Sequence, residues 1–409
     1  MKKNNLKKSF LWNTLGNSIN SFNSLFFLII VTRINGIKDA GIFTFAFATT
    51  AMLYSIALYF GRTFQVTETK KKISDKEFII HRFISSFFMM IIALIFCLIK
   101  CYNSSKFVVF LLLTSFRFLE AISDIYHGIL QKNDKLDISG KILFFRCLLN
   151  LILFVVIDYI FNNIIFSCIS LVISNIIVLI AFEIPFAKKF KDGCKHIEQK
   201  NIFYLFKIGF YTFGITFIAN YLVNAPRYSI DSLMDEKYQT IFGIIVMPAT
   251  IILLLNQFIL QPVIIILKDY YLKNEKKSFL NLIYKIITAT IFIGVISLIV
   301  AYFLGIPVLN IIYKINLSKY LPDLLLIIIG ATLYAISGVI SQSLIVLRKT
   351  KIQLLIYLVS LIVAFINSHI MVRFIGFRGA TYSYLLTMFV LLIMYITYLT
   401  IVVNKNANW

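Results

Sequence analysis

A chain of 409 residues that is 60% hydrophobic, with a mean hydropathy of +0.88, carries more apolar surface than a soluble core of that length absorbs, so it reads as a polytopic membrane protein. Its formal net charge of +22 does not signal nucleic acid, because the Lys and Arg residues alternate with the apolar runs instead of gathering on one stretch. Those runs are about 20 residues long, enough to cross a hydrocarbon core of about 30 Å as helices and too unalternating for barrel strands.

Twelve spans are predicted in chain order. Lys2, Lys3, Lys7 and Lys8 precede the first, about Phe10 to Thr32. They resemble a signal-peptide start, but no small-residue cleavage site follows, and the segment is expected to be an uncleaved span. Asn13, Asn17, Asn20 and Ser24 share an arc of roughly 60° on it, a row of amides and hydroxyls expected to line a cavity. Arg33 to Gly41 reads as a glycine-containing outer turn into span two, Ile42 to Gly61, and Arg62 to Lys76 as a basic cytoplasmic loop. Span three covers about Phe78 to Lys100.

Span four, Phe107 to Gln131, is the unusual one. Arg117, Glu120, Asp124, His127, Gly128 and Gln131 fall within an arc of roughly 100°, and the rest of the surface is Leu, Phe and Ile. A charge at the bilayer centre costs about 2.5 to 3.5 kcal/mol on the lenient insertion scale, so this face is expected to border a watery cavity or a bundle interior. Arg117 and Glu120 are spaced to pair within the helix. Glu120, Asp124 and His127 are candidates to carry a coupling proton or help bind a sodium ion, with structural pairing as the alternative.

Span five, Ile138 to Tyr159, contains Arg146, and span six runs from Ile164 to Phe186. A hydrophilic stretch from Ala187 to Asn201 then falls near mid-chain. The expected division is an N-terminal six-helix bundle over residues 1–190, a cytoplasmic linker over 191–200 and a C-terminal six-helix bundle over 201–409. Span seven, Phe203 to Ile230, aligns Thr216, Asn220, Asn224, Arg227 and Asp231 within about 80°, with Pro226 expected to kink it. Arg146 and Arg227 have no obvious acid at lipid depth in their own spans, which favours cavity roles. Asp231 is the candidate partner of Arg227 near the outer surface.

Span eight, Tyr238 to Ile266, holds Asn256, Gln257 and Gln261 between Pro248 and Pro262. Spans nine to twelve are Phe279 to Leu304, Leu321 to Leu347, Ile352 to Phe374 and Gly379 to Val403. Span ten aligns Tyr334, Ser337, Gly338 and Ser341, and span eleven Gln353, Tyr357, Ser360 and Asn367. His369 stands alone and is expected to be a packed histidine. Cys97, Cys101, Cys147, Cys168 and Cys194 form no CxxC and read as small apolar fillers.

Basic residues concentrate in one set of alternate connections, from the N-terminal lysines through Arg62 to Arg82, Lys132 to Lys141, Lys188 to Lys207, Lys268 to Lys285 and Arg348 to Lys351, ending at Lys405. The opposite set holds few, such as Arg33, Lys38 and Lys314. By the positive-inside bias both termini are expected in the cytoplasm, in a multi-pass plasma (inner) membrane protein. The segment Thr14-Leu15-Gly16 is echoed by Thr212-Phe213-Gly214, Gly41-Ile42-Phe43 by Thr240-Ile241-Phe242, and Gln65-Val66 by Gln261-Pro262-Val263. The offsets are nearly constant at about half the chain, which favours a parallel duplicated design of six plus six spans.

The stretch WNTLGNSINSF through VTRINGIKDAGIFTFAFA resembles the opening of bacterial polysaccharide and O-antigen repeat-unit flippases, in the multidrug/oligosaccharidyl-lipid/polysaccharide exporter superfamily. The run RxxExxxDxxxGxLQ followed by LDxxGKxxxxR, here Arg117, Glu120, Asp124, Gly128, Gln131, Asp137, Gly140, Lys141 and Arg146, resembles that family's fourth and fifth spans. The resemblance implies an all-α fold of twelve transmembrane helices in two six-helix bundles with a central cavity, working by alternating access. It implies a cargo of polyprenyl-pyrophosphate-linked oligosaccharide for O-antigen, lipopolysaccharide or capsule assembly, with membrane lipids around it and a polysaccharide polymerase and chain-length machinery as partners.

The residues suit such a cargo. Arg binds phosphate oxygens bidentately and stays charged when desolvated, which nominates Arg117, Arg146 and Arg227. Amides both donate to and accept from sugar hydroxyls, which nominates Asn17, Asn20, Asn220, Asn224, Gln131 and Gln257. An ion-coupled extruder of drugs or small cations from the same superfamily is the alternative, although it would favour unpaired acids over arginines. A membrane glycosyltransferase or polymerase is disfavoured because no outer connection is long enough to carry chemistry, with Asp39 as the acid to test. No GxxxxGK[ST], HExxH or CxxC occurs, so neither a cofactor nor a metal is expected.

Overall fold

The computed structural model describes residues 3–59, 62–67, 73–190 and 197–404, and among them every regular element is helical. The elements are α1 (Lys3–Ile34), α2 (Gly36–Leu58), α3 (Arg62–Thr67), α4 (Asp75–Ile99), α5 (Ser104–Lys132), α6 (Leu136–Phe161), α7 (Ile164–Val178), α8 (Ile184–Lys188), α9 (Gln199–Leu233), α10 (Glu236–Leu272), α11 (Lys276–Val300), α12 (Ile306–Tyr313), α13 (Leu321–Val346), α14 (Thr350–Ile375) and α15 (Phe377–Asn404). Among the described residues eleven segments are long and apolar enough to cross a membrane. The twelfth expected span is α5, whose 29 residues suffice in length but carry the polar face.

Local chemistry explains where the helices begin and turn. The Ser74 hydroxyl accepts from the Glu77 N–H while the Glu77 carboxylate accepts from the Ser74 N–H, a reciprocal cap that starts α4. Asn103 and Asn163 cap α5 and α7 in the same spirit. The outer turn expected over Arg33 to Gly41 is tighter than that: only Asn35 separates α1 from α2, and Gly36 takes the left-handed φ of +87° that the reversal needs. Lys38 and Asp39 therefore lie in the first turns of α2. Two spans widen into a π turn, Leu179–Glu183 and Ala301–Gly305, each followed at once by a proline-containing helix start, Ile184-Pro185 and Ile306-Pro307. Proline has no N–H to continue the α ladder, so the chain relaxes into a wider turn before it. α9 runs through Pro226 and α10 through Pro248 and Pro262 as single continuous helices.

By their contacts the residues form two units, which meet in sequence at Phe217 and Ile218. That boundary lies inside α9 instead of within the expected linker 191–200, of which 191–196 fall outside the described residues. The reason is the start of α9, which belongs to the first unit. Leu205 closes a core cluster with Ile73, Phe78 and Ile125, and Phe206 meets Tyr59 and His81 at ring separations of 5.0 and 4.2 Å.

In the first unit α1 packs along α6, α2 lies against α4 and α5, and α5 also contacts α7. Glycines permit the first of these contacts. A Cβ on Gly140 would sit 2.5 Å from the Trp12 backbone, and one on Gly16 would sit 2.7 Å from the Gly140 carbonyl oxygen, so the two backbones touch. Further along, Phe27, Phe43 and Phe154 meet edge-on and tilted in a buried aromatic cluster. In the second unit α13 is central, packed by α10, α11 and α15, with α14 against α15. Phe, Ile and Leu side chains stay exposed along α4, α11 and α14, which suits faces solvated by acyl chains.

Candidate functional site: ion pairs along the polar helix

The polar face of α5 is buried at Glu120, His127 and Gly128 and partly buried at Arg117, Asp124 and Gln131, and each of its acids has a basic partner. Arg117 Nη1 lies 2.6 Å from Glu120 Oε2, the pairing available at that spacing. The guanidinium also lies over the rings of Phe47, at 4.4 Å, and Tyr54. One turn further on, Asp124 Oδ2 accepts from Arg82 Nη2 at 3.2 Å, while Arg82 Nη1 donates to the Ala57 carbonyl. The charge pattern counts Arg82 with the basic cytoplasmic connection, although it lies beyond the loop Arg62 to Lys76. It instead lies inside α4 with its side chain 3% exposed, because α4 begins at Asp75 and two helical turns carry residue 82 under α2 and α5.

Next along α5, His127 Nε2 lies 3.1 Å from Glu183 Oε1 and His127 Nδ1 lies 2.7 Å from Ser139 Oγ. With Glu183 ionised, Nε2 carries the donated proton. Arg146 Nη1 donates to the same Glu183 oxygen at 3.3 Å and also to Ser123 Oγ, whose hydroxyl donates to the other Glu183 oxygen. One carboxylate thus joins α5, α6 and the π turn. Arg146 is accordingly not the free cavity cation that its own span suggests, since its acid comes from another helix. Glu183 is visible in the sequence as an acid inside an apolar run, the same signal that marks Arg117. The π turn is what places it against His127 and Arg146.

The remaining predicted residues of the first unit divide. Asn17 is exposed and its amide bonds Asn13, while Asn20 Oδ1 accepts from the Cys147 thiol at 3.3 Å. Asn23, outside the expected stripe, is buried and donates to the Cys147 carbonyl, fastening α1 to α6. Gln131 is half-buried and has no side-chain hydrogen bond among the described residues. Gly128 lies under α3, with the Gln65 amide where a Cβ would stand. Cys97, Cys147 and Cys168 are buried fillers, Cys101 is exposed, and Cys194 is outside the described residues.

In the second unit Arg227 is buried, lies 5.2 Å from the centre of the Phe242 ring, and leaves its Nη1 without a hydrogen-bond partner. The expected pair with Asp231 is not formed. Gln239 Nε2 fastens α10 to α9 through the Arg227 carbonyl at 2.6 Å. Asn224 bonds the Asn220 carbonyl along the helix. Gln257 is exposed at a cavity between α10, α13 and α14. The side chains of Gln261 and Pro262 lie outside the described residues. His369 is exposed on α14 instead of packed.

No protein-family model matches the chain. Over 395 residues it is 25% identical to the capsular polysaccharide biosynthesis protein CapF of Staphylococcus aureus, with 95% of this chain and 98% of that protein covered. Among solved structures, a multidrug resistance MATE family transporter of the MOP superfamily in its inward-facing conformation superposes with a TM-score of 0.71 at 11% identity, covering 97% of this chain and 99% of that one. The Vibrio cholerae MATE transporter VcmN, as its D35N mutant, gives 0.64 at 12% identity over 97% of each chain. A MOP superfamily transporter from Pyrococcus furiosus gives 0.57 at 12% identity over 98% of this chain and 95% of that one.

The fold is therefore that of the solved MOP-superfamily membrane transporters. The similarity to the capsular polysaccharide biosynthesis protein extends along nearly the whole chain.

Proposed function

We propose that this protein is a flippase, carrying oligosaccharide repeat units linked to polyprenyl pyrophosphate from the cytoplasmic to the outer leaflet by alternating access, for surface polysaccharide assembly. The observation that carries this reading is the disposition of buried charge. Glu120, Asp124 and Glu183 are all committed to Arg117, Arg82 and Arg146, so the polar face of α5 offers a cationic drug no spare carboxylate. Arg227 keeps a buried guanidinium nitrogen unpartnered, and a buried cation with no anion is costly unless an anionic ligand completes it. The cargo's pyrophosphate has the chemistry to do so. The similarity to CapF, a capsular polysaccharide biosynthesis protein, supports the same cargo. On this reading the basic connections face the cytoplasm, with both termini on that side of the plasma membrane.

The test is transport by the purified chain in vesicles, with a fluorescent lipid-linked oligosaccharide in one arm and a cationic dye in the other. Movement of the lipid-linked sugar to the far leaflet, with no dye movement, is the expected result. Dye extrusion without sugar movement would give the multidrug reading instead.

A further inference from the structure

The second unit contains a cavity of about 360 Å³ walled by α10, α13 and α14, near the lower end of the roughly 300 to 1,000 Å³ typical of small-molecule sites. Its lining combines Asn256, Gln257, Ser341 and Gln342 with Tyr334 and Tyr357, over an apolar floor that includes Leu253 and Leu260. Among the described residues no charged side chain lines it.

Some of the lining polar groups are committed to helix contacts and others are not. Asn256 Nδ2 donates to the Ala335 carbonyl at 3.1 Å and its Oδ1 accepts from Thr290 Oγ1 at 3.0 Å, locking α10 to α13 and α11. Ser341 and Gln353 exchange two bonds that lock α13 to α14. Gln257 and Gln342, by contrast, make no side-chain hydrogen bond among the described residues. A Cβ added at Gly338 meets nothing within 4 Å, so the glycine leaves the cavity unfilled rather than easing a helix contact.

We infer that this cavity binds a neutral sugar ring. Two uncommitted amides supply both donors and acceptors, as hydroxyl groups require. Tyrosine rings and the leucine floor cover the C–H faces of a pyranose. The lack of a charged group disfavours phosphate or ammonium there. If the protein flips a lipid-linked oligosaccharide, this is where one of its sugars is held, an assignment that rests on the proposed function only for its physiological role.

The experiment separates the two. Saturation-transfer NMR is recorded on the purified full chain in detergent with a panel of neutral hexoses and N-acetylhexosamines, alongside a hexose phosphate. The wild-type protein is expected to give signals from neutral ring protons. Gly338→Leu, which fills the space, and the pair Gln257→Ala with Gln342→Ala, which removes the amides, are expected to cut them at least fivefold, with melting temperature checking that each variant is folded. The paired variant decides if Gly338→Leu does not fold. Absence of a neutral-sugar signal from the wild type, a stronger signal from the hexose phosphate, or undiminished signals from the folded variants would overturn the inference. Sugar binding in a protein that moves no lipid-linked oligosaccharide in vesicles would instead sink the proposed function and leave the cavity assignment standing.

Discussion

Glu183 and Arg146 are separated by 37 positions in sequence and by 3.3 Å in space, with side-chain exposures of only 1% and 5%. Removing one member of such a pair leaves an uncompensated buried charge, which costs about 3 to 5 kcal/mol, whereas replacing both with apolar groups is far milder. Glu183→Ala is thus expected to lower the melting temperature and the yield of inserted protein sharply, and Glu183→Leu combined with Arg146→Met to recover most of the loss. Thermal unfolding of the three proteins in detergent checks this, and equal losses in the single and double variants would mean that the pair does not act as a unit.

Arg227 calls for the opposite outcome. Its guanidinium has no carboxylate partner among the described residues, so Arg227→Met removes a buried cation without orphaning an anion. The variant is expected to melt no lower than the wild type while surface polysaccharide falls more than tenfold. Normal export from Arg227→Met would remove the anionic-cargo role of this residue.

Coupling is the third case. Asp124 has a side chain 23% exposed, against 6% for Glu120, so of the two paired acids it is the one within easier reach of an ion from water. Asp124→Asn is expected to lower transport driven by an ion gradient several-fold, and Glu120→Gln to lower it less. Vesicle transport with and without an imposed proton or sodium gradient measures both, and an unchanged gradient dependence in Asp124→Asn takes that residue out of the coupling role.

The close contact of α1 and α6 gives a packing prediction. A Cβ on Gly140 would meet the backbone of Trp12 and Asn13 at 2.5 to 2.6 Å, and backbone cannot rotate aside as a side chain can. Overpacking of this kind costs about 1 to 3 kcal/mol, so Gly140→Val is expected to separate the helices, with a lower melting temperature and early elution or loss on size-exclusion chromatography. Gly338→Ala, into open space, is the control that keeps its melting temperature.

Much of this molecule is settled by the order of its residues alone. The spans follow from apolar runs of sufficient length, because a bilayer forces every backbone hydrogen bond to close within its own helix. The polar arc of α5 and the pair of Arg117 with Glu120 follow from helical periodicity, since both partners belong to one turn. Partners on different helices are another matter. Arg82 counts in the sequence with the basic cytoplasmic connection before span three, and Arg146 looks like a lone cation, until packing brings Asp124 beneath the first and a π turn swings Glu183 onto the second. Which amides are spent on fastening helices, as Asn23 and Asn256 are, and which remain uncommitted, as Gln257 and Gln342 do, depends on what stands opposite each one. Periodicity says which side of a helix a group occupies, and only tertiary packing decides what it meets there.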